Sequence, residues 1–194
     1  MKNWRDISYL EFGTRRQQAA LRTLQELSIL ERLKHFDPVL VSTVNLNIDI
    51  PESDLDIICE VRDAAAFTAC CQQYFAGFSE FTSRESHFEN FLAVVVSFQT
   101  ELFEIEIFGA PIPVEQQPAY RHLVTFHRVL EICGEPLRIV VQKLKEAGLK
   151  TEPAFAEIFG LAGNPYEEVY SLDNMDEGAL VQSFKEYTRD LLVE

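Results

Sequence analysis

No glycine-rich phosphate loop is present in this chain. Neither G-x-x-x-x-G-K-[ST] nor G-x-G-x-x-G occurs, and no Ser-His-Asp set can be assembled from its motifs. P-loop, dinucleotide and serine-hydrolase chemistries therefore have no support. Basic residues are also scarce: 17 Lys and Arg stand against 31 Asp and Glu, for a net charge of −14. Binding to a phosphate backbone runs on Lys and Arg contacts. The densest basic clusters, Arg15-Arg16 and Lys143/Lys145/Lys150, read as solvated helix faces. A long nucleic acid is not expected as a partner, whereas a single nucleotide held through a metal remains compatible. The longest apolar run, Phe91 to Val96, falls far short of the ~20 residues of a membrane span, so no membrane partner is expected. The 4 cysteines lack CxxC spacing, and His122 and His127 lack the i, i+4 spacing of a helical zinc pair. Zinc is not expected, and the cysteines read as buried thiols of a reducing compartment. The N-terminus has no apolar h-region, and a cytoplasmic location is expected.

What is present suffices for a sizeable core: 47% hydrophobic residues, 15 of them Phe, with only 8 Gly and 8 Pro. Periodicity and caps predict helices over 14–27, where Thr14 caps, and 29–35, where Ser28 caps with Glu31 in the capping-box position. Strands are predicted over 39–41, 54–61, 78–85, 91–98 and 102–108, with Gly109-Ala110-Pro111 breaking the last. A helix from Ala64 to Phe75 begins at Asp63. Asn47 and Asp49 read as turn residues. Beyond Pro113 the pattern is helical: 114–133, 136–147, 153–159 with Thr151 as its cap, a start at Asn164-Pro165, and 177–192. The fold class is α+β: a mixed β-sheet flanked by helices, with a helical C-terminal half. A single domain spanning 1–194 is expected, with a core over about 14–112 and a helical region over about 113–194.

The informative stretch is Ser53-Asp54-Leu55-Asp56-Ile57-Ile58-Cys59-Glu60. Residues i and i+2 of a strand share a face, so Asp54 and Asp56 project together while Leu55 and Ile57 enter the core. Two like charges this close repel unless a cation lies between them, and a divalent metal is the usual cation. Phe103-Glu104-Ile105-Glu106-Ile107-Phe108 repeats the alternation. Alone it fits a strand with one solvated face. Placed beside the 54–61 strand, it would bring a third carboxylate to the pair. Such a triad serves phosphoryl and nucleotidyl transfer: two acids hold Mg²⁺ against a triphosphate, and the third completes the site or takes the acceptor's proton.

An apolar strand, the Val41-Ser42-Thr43 turn and a spaced Asp54-x-Asp56 resemble the signature of the nucleotidyltransferase superfamily, which includes polymerase β and antibiotic-modifying enzymes. That resemblance implies a nucleotidyltransferase-like fold. It also implies Asp54 and Asp56 as metal and catalytic acids, Glu106 (or Glu104) as the third, and Thr43 at the phosphates. Mg²⁺ or Mn²⁺ would be the cofactor, with an NTP as substrate. Within the superfamily the chain resembles the bacterial domain-of-unknown-function family 4269. The resemblance rests on Thr43, Ile48 to Cys59, Glu106 to Gly109, Ala119 to His122 and Lys150 to Ala156. The implied activity is transfer of NMP from the NTP to a small-molecule or protein hydroxyl. The alternative is a non-catalytic nucleotide- or protein-binding module of the same fold. Ser42 stands where the superfamily has Gly, adding a Cβ where backbone would approach phosphate. No Lys or Arg lies between Asp37 and Val61 to neutralise a triphosphate. Ser42, Thr43, Ser53, Arg121 and Lys150 complete the candidate nucleotide-binding set, with capping or surface pairing as their structural alternatives.

Overall fold

The computed structural model describes residues 2–88 and 90–190. The chain divides into two compact units, Met1–Asn47 with Pro51–Tyr120, and Ile48–Ile50 with Arg121–Glu194.

In the first unit, a 3-10 turn, Ser8–Phe12, leads to helix α1, Arg15–Glu26. A full capping box starts α1: Thr14 Oγ1 accepts the Gln17 N–H at 3.2 Å and Gln17 Oε1 accepts the Thr14 N–H at 2.9 Å. Ser28 does not cap the next helix. Its backbone is left-handed (φ 50°), which turns the hydroxyl back to donate to the Gln25 carbonyl at 3.3 Å. Without a side-chain cap, α2 is only Ile29–Arg32, followed by a 3-10 turn, Lys34–Phe36. Strand β1 (Val39–Leu40) and a 3-10 turn (Thr43–Leu46) precede β2 (Leu55–Glu60). Helix α3, Ala64–Phe75, is capped by Asp63, whose carboxylate accepts the Ala66 N–H at 2.9 Å. Strands β3 (Ser79–His87), β4 (Leu92–Gln99) and β5 (Glu104–Ala110) complete the sheet.

The sheet order is β1-β2-β5-β4-β3. β2 and β5 run parallel and the other pairs antiparallel, which makes the sheet mixed. One face is the core. Leu55, Ile57, Cys59, Ile105 and Ile107 are fully buried there with Val94, Val96 and Phe98, against Leu21 and Leu24 of α1 and Phe67, Cys71 and Phe75 of α3. β5 does not end at Gly109, as the sequence suggests, but runs through Ala110. Glycine is there for space: a Cβ would stand 2.6 Å from Val61 Cγ2 and 2.9 Å from Phe67 Cε1.

The second unit is helical. It takes α4 (Pro118–Cys133) from Arg121 onward, α5 (Glu135–Glu146), α6 (Thr151–Ile158), α7 (Pro165–Glu168), a 3-10 turn (Val169–Asn174) and α8 (Glu177–Asp190). The last two positions of the helix expected to reach Leu192 lie outside the described residues. Phe126 of α4 stacks on Phe155 of α6 at 4.1 Å between centroids, with Val129, Leu137, Val141 and Ile158 buried in the same unit. Thr151 is already helical rather than capping; Lys150 holds the N-cap position, and its side chain makes no cap bond. The segment Ile48–Ile50 belongs here because α5 holds it. The buried Lys145 ammonium donates to the Ile48 carbonyl at 2.9 Å, and Gln142 Nε2 donates to the Asp49 carbonyl at 3.3 Å.

Candidate functional site

Because β1 and β2 are antiparallel, the end of β1 lies beside the beginning of β2. The Val41 N–H donates to the Asp56 carbonyl at 2.8 Å, extending the pairing by one residue. That brings the Ser42-Thr43 turn against the acidic segment. Ser42 is fully buried, and its hydroxyl donates to the Asp54 carbonyl at 2.6 Å while accepting the Val44 N–H at 3.5 Å. The hydroxyl hydrogen is thereby committed to holding the turn to the acid segment. Thr43, half-buried, opens the 3-10 turn, and Asn47 closes it in the left-handed region, as its reading as a turn residue requires.

The parallel register sets Asp56 opposite Glu106 and Leu55 opposite Ile105. Asp56 and Glu106 therefore leave adjacent strands on the same face, opposite the core, and both are half-buried. The row continues across the sheet, since Glu106 is opposite Ser97 of β4 and Ser97 opposite Thr82 of β3. The Ser97 and Thr82 hydroxyls are hydrogen-bonded at 2.8 Å. Glu104 lies one pleat back on the same face and is exposed, so Glu106 is the acid that the ladder pairs with Asp56. Arg84 shares this face, but two strands, β4 and β5, lie between its strand and β2. Cys59, at the far end of β2, is fully buried, and burial pushes its thiol well above the ordinary range. A thiolate nucleophile at this position has no support.

Asp54 precedes the first paired residue of β2, and side chains hold its segment instead. Ser42 takes the Asp54 carbonyl. Arg16 of α1 donates from Nη2 to the carbonyls of Pro51 at 2.9 Å and Ser53 at 2.8 Å. Sequence reasoning missed Arg16 by assigning Arg15-Arg16 to a solvated face. The signal was present: Arg16 heads the i, i+4, i+8 stripe that buries Ala20 and Leu24. A guanidinium therefore does stand beside the acidic segment, supplied from outside the cation-free stretch 37–61.

Arg121 and Lys150 belong to the second unit. Arg121 is exposed with its guanidinium 4.0 Å from the Tyr170 ring centroid, and Lys150 is an exposed helix-start residue. Between them in sequence, His122 is occupied on both nitrogens, with Nδ1 3.1 Å from Glu152 Oε1 and Nε2 3.0 Å from the Tyr166 carbonyl. Among the described residues, no group of three or more His, Cys, Asp or Glu is arranged to hold a metal ion, and no helix is long and apolar enough to cross a membrane.

Residues 22–172, most of the chain, match the family described as a domain of unknown function, DUF4269. The chain belongs to the DUF4269 family. No curated protein matches it. Among solved structures, this DUF4269 protein is similar to the Cid1 poly(U) polymerase with MgGTP bound, at TM-score 0.51 and 13% identity, covering 88% of this chain and 66% of that one. It is also similar to Cid1 as described for its RNA terminal uridylyl transferase activity (TM-score 0.50, 13% identity, 87% and 64% coverage). A third likeness is to the GLD-2/RNP-8 complex (TM-score 0.49, 11% identity, 88% and 76% coverage). The chain spans between 46% and 66% of the Cid1 chains. At 13% identity the likeness to the two Cid1 structures shows the fold alone, a nucleotidyltransferase-like mixed sheet with a helical C-terminal half.

Proposed function

We propose that this DUF4269 protein is a metal-dependent nucleotidyltransferase that moves NMP from an NTP to a small-molecule or protein hydroxyl. The observation that carries this reading is the pairing of Asp56 with Glu106 across parallel strands, on the open face of a nucleotidyltransferase-type sheet. Asp56 and Glu106 offer carboxylate oxygens at that face. Such a set suits Mg²⁺ or Mn²⁺, which bind through few carboxylates and complete their shell with water and substrate phosphates. In this reading Asp54 and Asp56 are the metal ligands, and Glu106 completes the set or takes the acceptor's proton. The bound cation supplies neutralisation of the triphosphate charge. The acceptor oxygen bonds to the α-phosphorus, the bond from that phosphorus to the bridging oxygen breaks, and pyrophosphate leaves with the electron pair. Thr43, Ser53, Arg121 and Lys150 are the proposed nucleotide contacts, and Ser42 supports them through the turn. A cytoplasmic location belongs to the same proposal, supported by four free thiols.

The expectation that no long nucleic acid binds rests on the net charge of −14. It gains nothing from the structural likeness, since Cid1 is described by an RNA terminal uridylyl transferase activity. An RNA oligonucleotide therefore belongs among the acceptors tested.

Calorimetric titration with Mn²⁺ and each NTP tests the site. Wild type is expected to bind at least one pair, and the Asp54→Asn/Asp56→Asn variant to lose that binding. Absence of binding by wild type to any pair would overturn the reading. Ser42, buried where the superfamily has Gly, favours the second reading, a nucleotide- or protein-binding module without transfer. Release of pyrophosphate from any NTP separates the two.

A further inference from the structure

Asp56 and Glu106 are fixed by the β2–β5 ladder, which begins at Leu55 and Ile105. Asp54 lies ahead of that ladder. Its position relative to the other two acids is set by what grips residues 51–54, and the Arg16 side chain joins this segment to Phe103, just ahead of β5. Its Nη2 donates to the Pro51 carbonyl at 2.9 Å and the Ser53 carbonyl at 2.8 Å, and its guanidinium carbon stands 4.5 Å from the Phe103 ring centroid. Ser53 directly precedes Asp54, and Phe103 directly precedes β5, three residues ahead of Glu106. Phe103 is itself anchored. Only 2% exposed, it donates its N–H to Thr100 Oγ1 at 3.0 Å and accepts on its carbonyl from the Thr100 hydroxyl at 2.7 Å. One side chain thus bridges the lead-in of both acid-bearing strands.

We propose that Arg16 is a positioning residue for the carboxylate set, holding Asp54 at a fixed place relative to Asp56 and Glu106. Asp54 has no ladder partner of its own, and the Arg16 bond to the Ser53 carbonyl and the Ser42 bond to the Asp54 carbonyl fix the backbone that carries it. Arginine suits the task for two reasons. Its flat, weakly hydrated guanidinium lies on an aromatic ring, and its terminal nitrogen reaches two carbonyls at once. A lysine carries the same charge but ends one atom short of those carbonyls. The effect on cation binding rests on the function proposed above, whereas the mechanical effect on residues 51–54 does not.

The test compares Arg16→Met, Arg16→Lys and Thr14→Ala in the full chain. Thr14→Ala removes the cap of the same helix while leaving the contacts of Arg16 in place, and so reports what general weakening of α1 does. Two readouts are taken: amide hydrogen exchange over residues 52–57 of the free protein, and Mn²⁺ affinity in the presence of an NTP by calorimetry. Arg16→Met is expected to speed exchange and to weaken Mn²⁺ binding, each at least tenfold. Arg16→Lys is expected to rescue neither, and Thr14→Ala to stay within twofold of wild type in both. The proposal is overturned if Arg16→Met leaves exchange unchanged, if Thr14→Ala matches it, or if Arg16→Lys restores affinity, which would make Arg16 a charge rather than a clamp. Should wild type bind no Mn²⁺ with any NTP, the proposed function fails, and the exchange arm alone decides whether Arg16 holds the segment.

Discussion

Leu55, Ile57 and Cys59 leave β2 on one side of the sheet with no exposed surface, whereas Asp56 and Glu60 leave it on the other side half-open to solvent. β5 divides the same way, with Ile105 and Ile107 inward and Glu104, Glu106 and Phe108 outward. The two faces share every backbone hydrogen bond. The register that packs Ile57 beside Ile107 is the one that sets Asp56 beside Glu106, and a one-residue slip would lose both at once. The acid pair thus inherits its geometry from the core face, while Asp54, outside the ladder, depends on side chains. Apolar packing fixes the register, and polar side chains fix what the ladder does not reach.

The sharpest way to break this comparison is to mutate each face and read stability. Ile107→Ala, at a fully buried position, is expected to cost about 2–5 kcal/mol in urea denaturation. The double change Asp56→Asn/Glu106→Gln on the opposite face is expected to alter stability by at most about 1 kcal/mol, while abolishing Mn²⁺–NTP binding. If the acid-face variant were the more destabilised, the carboxylates would be part of the fold's support rather than its cargo. Gly109→Ala comes next. Its Cβ would press on Val61 and Phe67 from the core side, and overpacking of this kind costs about 1–3 kcal/mol. An unchanged urea midpoint would mean that these neighbours yield freely and that the space at Gly109 is not what the core requires.

The sheet face was legible because alternation has a period of two and the acids broke an otherwise apolar strand. Asp56 between Leu55 and Ile57, and Glu104 and Glu106 around Ile105, declared the open face, whereas Asp54 lies ahead of the ladder that the alternation describes. The pairing of Asp56 with Glu106 was an expectation that only topology could meet, since about 50 residues separate them in sequence and β5 rather than a nearer strand lies beside β2. The helix at Asp63 and the cap at Thr14 followed from local chemistry. Ser28 did not, because its backbone is left-handed and its hydroxyl turns back to the Gln25 carbonyl, which no cap rule contains. Gly109 opens the triplet expected to break the strand, yet the strand continues through it, and its lack of a side chain is what the position uses. Arg16 was hidden for a related reason. A charged residue on a helix reads as solvated until another segment brings carbonyls to it, and that meeting is long-range.

Ser42→Ala tests the side-chain support of Asp54 directly. The loss of one buried hydrogen bond, at 2.6 Å to the Asp54 carbonyl, is expected to cost about 1 kcal/mol and to weaken Mn²⁺–NTP binding. Ser42→Gly, which places the residue that the nucleotidyltransferase resemblance implies at this position, removes the same bond while opening room for backbone to approach phosphate. Stronger nucleotide binding by the glycine variant than by the alanine variant would show that the Cβ, rather than the lost hydroxyl, limits the site. Equal binding by the two would show that the hydroxyl is what matters.

The smallest effect lies far from the acid pair. Arg5 donates to Asp37 from Nε at 2.8 Å and Nη2 at 2.5 Å, and from Nη2 to Glu115 at 2.6 Å, tying the N-terminal segment to two later turns. The guanidinium holds both carboxyls below their ordinary values of 3.8 and 4.5. At acid pH the unfolded chain therefore binds more protons at these groups than the folded one does, and their contribution rises with pH. It is complete above those ordinary values and disappears as pH falls through the lower folded-state values. The side chains are 41–48% exposed, so water and salt screen the cluster, and Arg5→Ala is expected to cost about 1 kcal/mol or less at pH 7. The diagnostic is the slope: between pH 5 and pH 3 the variant should lose less stability than wild type, and 0.5 M salt should narrow the gap between them. Parallel pH profiles would mean that the cluster is present without contributing, and that burial of Trp4 and Leu10 outweighs it in fastening the N-terminal segment.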